Sequence, residues 1–272
     1  MMRCQQPTLS VIIVTWNVGP LLLRTLERLG GACAGLTWET IVVDNASGDG
    51  SQQAVRAAFP AVTYLYNDSN PGYAKANNQG LARAQGDFLL LLNPDTEPEP
   101  GSLAGLVQFL HAHPAAGIVG PALVLADGAP QPYSFGGDPT VAYLLRRNLA
   151  RLLRTGPLHD WGAAQAARVD WVSGACLLAR RAVFSQIGGL DEAMFMYFED
   201  NDWCLRSRQA GWEVWREPAS RVVHLGGQSL KQNRRAPAAY YASLRTFYQR
   251  HYGPLDRLAL ALLLRLLPAV DA

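Results

Sequence analysis

The sequence predicts an α/β protein built on a doubly wound, mostly parallel sheet with helices on both faces, and three observations lead to that class. Short β-branched or leucine-rich runs alternate with segments that repeat apolar residues at helical spacing. The runs are apolar without interruption, as strands buried on both faces are. Several of them stop at turns rich in Asp and Asn, and in an open α/β sheet such turns converge on a crevice over the strand ends, where a ligand sits.

In chain order, Leu9–Thr15 (LSVIIVT) reads as the first strand and residues 17–20 as a turn. Leu21, Leu22, Thr25, Leu26 and Leu29 then form a helical stripe that Gly30-Gly31 ends. Residues 39–43 (ETIVV) make a second strand, followed by a polar turn at 44–50 and a helix over Ser51–Ala58. Residues 62–66 read as a third strand, 74–84 as a helix, and 87–92 (DFLLLL) as a fourth strand that stops at Asn93-Pro94-Asp95. A helix over Ser102–Ala112 and a strand over 117–124 follow, and 126–139 reads as a long loop. Residues 142–154 follow the helical period, with Leu145, Leu149, Leu152 and Leu153 on one face and Arg147, Arg151 and Arg154 opposite. This basic amphipathic helix is either an ordinary packed helix with a solvated face or a contact for lipid or phosphate. Residues 169–179 read as strand, turn, strand; a helix runs from Trp203 to Ala210; strands are expected at 212–215 and 222–224.

Composition limits the function classes. With 49% apolar and 17% charged residues the chain is too apolar for disorder, and its 25 Gly and 17 Pro follow no collagen or coiled-coil period. No run approaches the ~20 apolar residues of a membrane span, and the first ten residues hold no hydrophobic signal core, so neither a span nor secretion is expected. Cys4, Cys33, Cys176 and Cys204 lie far apart without a C-x-x-C pair, which fits a reducing cytosol rather than a zinc knuckle or disulfide framework. Residues 1–140 carry 6 Lys/Arg against 11 Asp/Glu, whereas 141–272 carry 18 against 11, implying two functional halves. A net charge of +2 argues against general nucleic-acid binding, while the basic second half suits phosphates or anionic lipid.

Three groups of residues point to chemistry. The strand-end turns bring Asp44 and Asp95 toward one site, although each alone could simply cap its turn. The first turn, Thr15-Trp16-Asn17-Val18-Gly19-Pro20, is neither a dinucleotide fingerprint nor a P-loop, and it lacks the Gly-rich, Arg/Lys-bearing loop of sugar-nucleotide-forming nucleotidyltransferases. Asp95 on its tight turn suits Mg2+ or Mn2+. Within Tyr197-Phe198-Glu199-Asp200-Asn201-Asp202-Trp203, acids beside aromatics suit a base of raised pKa. There Asp202 is expected to cap the following helix, leaving Glu199 or Asp200 to face a pocket. His224 alone reads as a hydrogen-bonded structural residue; together with Asp95 it becomes a metal site.

A set of ordered motifs runs through these positions: Thr-Trp-Asn at 15–17, Val-Val-Asp-Asn-Ala-Ser at 42–47, Asn-Pro-Gly-Tyr-Ala at 70–74, Leu-Leu-Leu-Leu-Asn-Pro-Asp-Thr at 89–96, Trp-Val-Ser-Gly-Ala-Cys at 171–176, Gly-Gly-Leu-Asp-Glu at 188–192, Tyr-Phe-Glu-Asp-x-Asp at 197–202 and Val-Val-His-x-Gly-Gly at 222–227. In these the chain resembles inverting family 2 glycosyltransferases, especially the rhamnosyltransferase-like branch, from about residue 8 to 230. The resemblance implies one GT-A-type, Rossmann-like domain over 8–230, with a nucleotide-sugar half (8–125) and an acceptor and base half (126–230), and a C-terminal helical extension over 231–272. It further implies a nucleotide-diphosphate sugar donor, a saccharide or lipid-linked acceptor and a divalent metal. Asp44 matches the base-recognising acid, with Thr15, Asn17, Lys75, Asn77 and Asn93 near the donor and Trp171, Gly174 and Glu199 toward the acceptor. Asp95 matches the metal-binding acid of the Asp-x-Asp signature, His224 its second ligand and Asp200 the catalytic base. Asn93 replaces the first acid of that signature, which is common in this branch and leaves a catalytically silent binding protein as the alternative. A retaining route would need Glu199 as nucleophile; the resemblance favours inversion. Finally, residues 255–267 hold ten apolar residues before Pro268, roughly 20 Å of helix and too short to span. Attachment to the cytoplasmic membrane face is expected, with docking on the body or on a second subunit as the alternative.

Overall fold

The computed structural model describes residues 6–226 and 236–266; the expectations that touch Cys4, Gly227, the boundary at 230/231 and residues 267–268 lie outside the described residues. Four strands, β1 (Leu9–Thr15), β2 (Trp38–Asp44), β3 (Thr63–Tyr66) and β4 (Phe88–Leu92), run parallel in the spatial order β3-β2-β1-β4. Every residue of β1 and β4 is buried, which is why their sequences are apolar on both faces. Beyond β4 the sheet is mixed. β10 (Cys176–Arg180) lies antiparallel between β4 and β6 (Ala116–Val124), β11 (Glu213–His224) runs parallel to β6, and β5 (Thr96–Pro98) closes the edge antiparallel to β11. With β8 (Ala167–Arg168) also on β11, six of the nine strands point one way. β7 (Phe135–Gly136) and β9 (Trp171–Val172) form a separate ribbon.

Helices cover both faces. Val11 and Ile13 of β1 pack with Leu22, Leu26 and Leu29 of α1 (Gly19–Ala32), Val55 of α2 (Ser51–Ala58) and Leu103 and Leu106 of α4 (Ser102–Ala112). Ile12 and Val14 face the other way, onto Ala74 and Leu81 of α3 (Tyr73–Arg83), Val183 of α6 (Arg181–Ile187) and Trp203 of α7 (Glu199–Gln209). A third cluster joins Leu144 of α5 (Val141–Leu153), Met194 and Phe198 to Phe247 and Tyr248 of α8 (Ala236–His251) and Leu260 and Leu263 of α9 (Pro254–Leu266). No described helix is long and apolar enough to cross a membrane.

Four expectations are revised. Residues 126–139 are not all loop, because Phe135 and Gly136 pair with β9. The strands expected at 212–215 and 222–224 are one strand, β11, with an irregularity between Glu217 and Arg221. Helix α7 starts at Glu199 instead of Trp203, because Tyr197 and Phe198 adopt positive φ (68° and 65°) and turn the chain into the helix early. Asp202 therefore lies inside the first turns and does not cap the helix. On α5 only Leu144 is buried, while Leu145, Leu149, Leu152 and Leu153 all point to solvent. Periodicity defined that stripe correctly but not what covers it.

Candidate active site

The turn after β1 is tied to the turn after β2. Asn17, at φ 52°, donates its N–H to Ser47 Oγ (2.8 Å) and accepts from Gly48 N–H through Oδ1 (2.8 Å). Asp44 is fully buried: Oδ1 accepts from Ser47 N–H at 2.8 Å and Oδ2 from the Tyr64 hydroxyl at 2.5 Å. Thr15 is buried with Oγ1 unpartnered, and so is Oδ1 of Asn77, whose Nδ2 donates to Tyr73 O at 3.0 Å. Lys75 is exposed. Two residues along a helix are about 200° apart, so Lys75 and Asn77 do not share a face.

At the end of β4 the structure brings Asp95 and His224 together. β5 and β11 pair so that Thr96 lies opposite His224, and Leu225 N–H donates to Asp95 O at 2.9 Å. This register places His224 Nε2 3.2 Å from Asp95 Oδ1, both side chains buried, with Asn93 Nδ2 at 3.4 Å from the same nitrogen. The other ring nitrogen, Nδ1, lies 2.8 Å from Gln131 Oε1. A neutral imidazole carries one N–H. With that proton on Nδ1, bound to Gln131, the Nε2 lone pair faces the Asp95 carboxylate, and a cation would reconcile the two electron-rich atoms. Carboxylate oxygen and imidazole nitrogen are suitable donors for a divalent metal, so the residues fit one. Among the described residues no group of three or more His, Cys, Asp or Glu side chains is arranged to hold a metal ion, and the pair supplies only two protein ligands.

Residues 171–176 form the wall between this pair and the acidic turn. Asn93 N–H donates to Ala175 O at 2.9 Å, while Gly174 N–H donates to Asp200 Oδ2 at 2.9 Å and Tyr73 OH to Gly174 O at 2.8 Å. Asp200 Oδ1 accepts Asn201 N–H at 2.8 Å. In the orientation that satisfies both of its neighbours, the Asn201 amide also donates to Asp200 Oδ1 (3.1 Å) and accepts from Trp171 Nε1 (3.1 Å). Burial pushes the Asp200 carboxyl above its ordinary value, against the pull of the Gly174 and Asn201 N–H groups. Glu199 is buried with Oε2 unpartnered, and burial, then the Asp200 charge, push its carboxyl well up.

Residues 10–173 match the sequence family described as Glycosyl transferase family 2. The chain belongs to this family. The glycosyltransferase is 32% identical over 263 residues to the N-acetylglucosaminyl-diphospho-decaprenol L-rhamnosyltransferase of Mycobacterium tuberculosis, covering 86% of this chain and 80% of that one. It is 27% identical over 230 residues to a low-salt glycan biosynthesis hexosyltransferase of Haloferax volcanii, covering 83% and 69%. Its fold is shared with a mannosyltransferase of Pyrobaculum calidifontis solved with GDP-Man and Mn2+, at a TM-score of 0.58 and 20% identity over 98% of this chain and 66% of that one.

Several residues that hold this glycosyltransferase's site together carry no local sequence signal. Gln131 reaches His224 from the 126–139 segment, and Tyr64 reaches Asp44 from the edge strand. His251 of α8 contacts Asp202 Oδ1 at 2.7 Å, while Arg206 binds Asp202 Oδ2 (2.8 Å) and the carbonyls of Ile187 and Gly189. Ser243 donates to Met196 O at 2.7 Å. The C-terminal helix α8 thus clamps the strained turn that carries Glu199 and Asp200. Asn78 of α3 pairs both ways with the Leu190 backbone at 2.9 Å.

Proposed function

We propose that the protein is an inverting glycosyltransferase that moves a sugar, rhamnose as in its mycobacterial relative, from a nucleotide-diphosphate donor to a hydroxyl of a saccharide or lipid-linked saccharide during cell-surface polysaccharide assembly at the cytoplasmic side. The observation that carries this reading is the single wall at 174–175. One of its residues holds the Asp200 carboxylate and the next holds the strand end beside Asp95 and His224. On this reading the base and the diphosphate-binding pair stand on either side of that backbone.

Asp200 accepts the acceptor hydroxyl's proton as that oxygen attacks the anomeric carbon. Two backbone N–H groups fix the plane of its carboxylate, and its raised pKa makes it a stronger base than a solvated Asp. Glu199, held toward the neutral acid by burial and by Asp200, is a poor nucleophile, which supports one displacement with inversion. At Gly174 a Cβ would sit 3.3 Å from the Tyr73 hydroxyl and 3.7 Å from Asp200 Cβ, so glycine lets this backbone pack closely against both residues; Trp171, Gly174 and Glu199 are assigned to the acceptor side. Asp95 and His224 would hold a Mg2+ or Mn2+ ion, which when bound supplies positive charge against the charge growing on the leaving diphosphate. Asn93, whose Nδ2 lies 3.4 Å from His224 Nε2, stands beside that pair. On the donor side Thr15, Asn17 and the exposed Lys75 are assigned to the nucleotide end, whereas Asn77, on a different face of α3, is buried. Asp44, whose Oδ2 accepts from the Tyr64 hydroxyl, is assigned the nucleobase N–H.

A screen of nucleotide sugars with Mn2+ and saccharide or lipid-linked acceptors tests the reading. The expected result is nucleoside diphosphate release with a product of opposite anomeric configuration. Donor binding without release under every condition would make the protein a silent sugar-nucleotide binder, and pyrophosphate release from a sugar phosphate and nucleoside triphosphate would make it a nucleotidyltransferase.

A further inference from the structure

Among the described residues, one face of each of two packed helices leaves its leucines exposed. On α5, Leu145, Leu149 and Leu152 recur at i, i+4 and i+7 with Leu153 beside them, and the helix docks through Leu144, on a different side. On α9, which packs against α5, Leu255, Leu258 and Leu262 recur at i, i+3 and i+7, while Leu260 and Leu263 face the body. Exposure reaches 78% at Leu152 and 82% at Leu255, so seven leucines from segments about a hundred residues apart stand in solvent on neighbouring helices. A soluble monomer seldom exposes so many large apolar side chains together.

The charges beside them select the occupant. Arg146 and Arg151 of α5, Arg154 just past its end and Arg265 of α9 are exposed, and the ion pairs of the described residues use other cations. Asp256 is the one acid on either helix. A two-fold contact between copies through these helices would bury the arginines with only Asp256 of each copy's helices as countercharge. An anionic bilayer instead offers apolar depth to the leucines and phosphates to the arginines, the arrangement of interfacial amphipathic helices.

We propose that the α5–α9 surface lies on an anionic lipid bilayer, with the leucines in the headgroup–acyl boundary and Arg146, Arg151, Arg154 and Arg265 at the phosphates. The idea that this brings the site to a lipid-linked acceptor rests on the function proposed above; bilayer binding itself does not. The test is co-sedimentation of the full chain with vesicles of phosphatidylglycerol and phosphatidylethanolamine, and with phosphatidylcholine alone. The intact protein should pellet with the anionic vesicles. Changing Leu149, Leu152 and Leu153 together to Ser should lower that partitioning at least tenfold, while melting temperature and turnover on a water-soluble acceptor stay unchanged. Changing Arg146, Arg151 and Arg154 to Gln should lower it about fivefold per residue, the equivalent of about 1 kcal/mol each, and only on anionic vesicles. A protein that stays in the supernatant with anionic vesicles overturns the proposal, as does a dimer in light scattering that the leucine substitutions dissolve. Vesicle binding without glycosyl transfer would leave this surface standing and remove the enzymatic reading alone.

Discussion

Replacing Asp200 with Asn separates catalysis from architecture. The carboxylate accepts two backbone N–H groups, one on each oxygen, at 2.9 and 2.8 Å. Asn keeps one acceptor oxygen and turns an NH2 toward the other donor, which costs about 1.5–3 kcal/mol for a hydrogen bond to a charged group. The charge that burial opposes disappears at the same time and offsets part of that cost. The melting temperature should therefore move by no more than about 5 °C. Loss of a general base is worth about 10²–10⁴ in rate, or roughly 3–5 kcal/mol of barrier, so turnover should fall far more than stability. Initial rates of diphosphate release at saturating donor measure the first quantity, and calorimetric titration of donor measures binding, which should change less than about twofold. In the native enzyme the rate should rise with pH as Asp200 loses its proton, along a limb displaced above the ordinary Asp value of about 3.9, and the variant should lose that limb. Turnover within tenfold of native refutes the assignment and moves the base to Glu199 or Asp202. A matching loss of donor binding would instead show that the residue holds the donor.

Other expectations follow from single contacts. Because the Glu199 carboxyl is pushed well up in the folded chain, folded protein binds more protons than unfolded above the ordinary Glu pKa, and stability falls as pH rises toward the folded value. Glu199→Gln should remove that decline, raising the melting temperature more at pH 8 than at pH 5; equal shifts at both would refute it. Gln131→Leu releases His224 Nδ1 and should weaken Mn2+ binding about 10–100-fold in an electron paramagnetic resonance titration, with unchanged affinity excluding an orienting role. Gly72 has φ +94°, and a Cβ there would lie 2.6 Å from the Phe195 ring and 2.7 Å from its carbonyl oxygen. Gly72→Ala should destabilise by about 2–4 kcal/mol in chemical denaturation, and a loss under 1 kcal/mol would mean that the 195 turn yields freely.

The parallel half of the sheet could be read from the chain because its information is local. A strand buried on both faces must be apolar at every position, as β1 and β4 are, and a tight polar turn must follow, so Thr15, Asp44 and Asp95 announced the strand ends. The ordered motifs likewise named the family. What the tertiary structure alone decided depends on pairing across long sequence separations. Asp95 and His224 meet because β5, three residues for which the sequence predicts no element, pairs with β11 in the register Thr96 opposite His224. Gln131 orients that histidine from a segment with no hydrophobic period, and the start of α7 is fixed by two aromatic residues held at positive φ with Phe198 packed on Tyr240 and Phe247. The leucine stripe of α5 marks the limit most clearly. Helical spacing puts apolar side chains on one face because 3.6 residues make a turn, but burial of that face depends on what the remainder of the chain lays against it, and here Leu144 alone is covered.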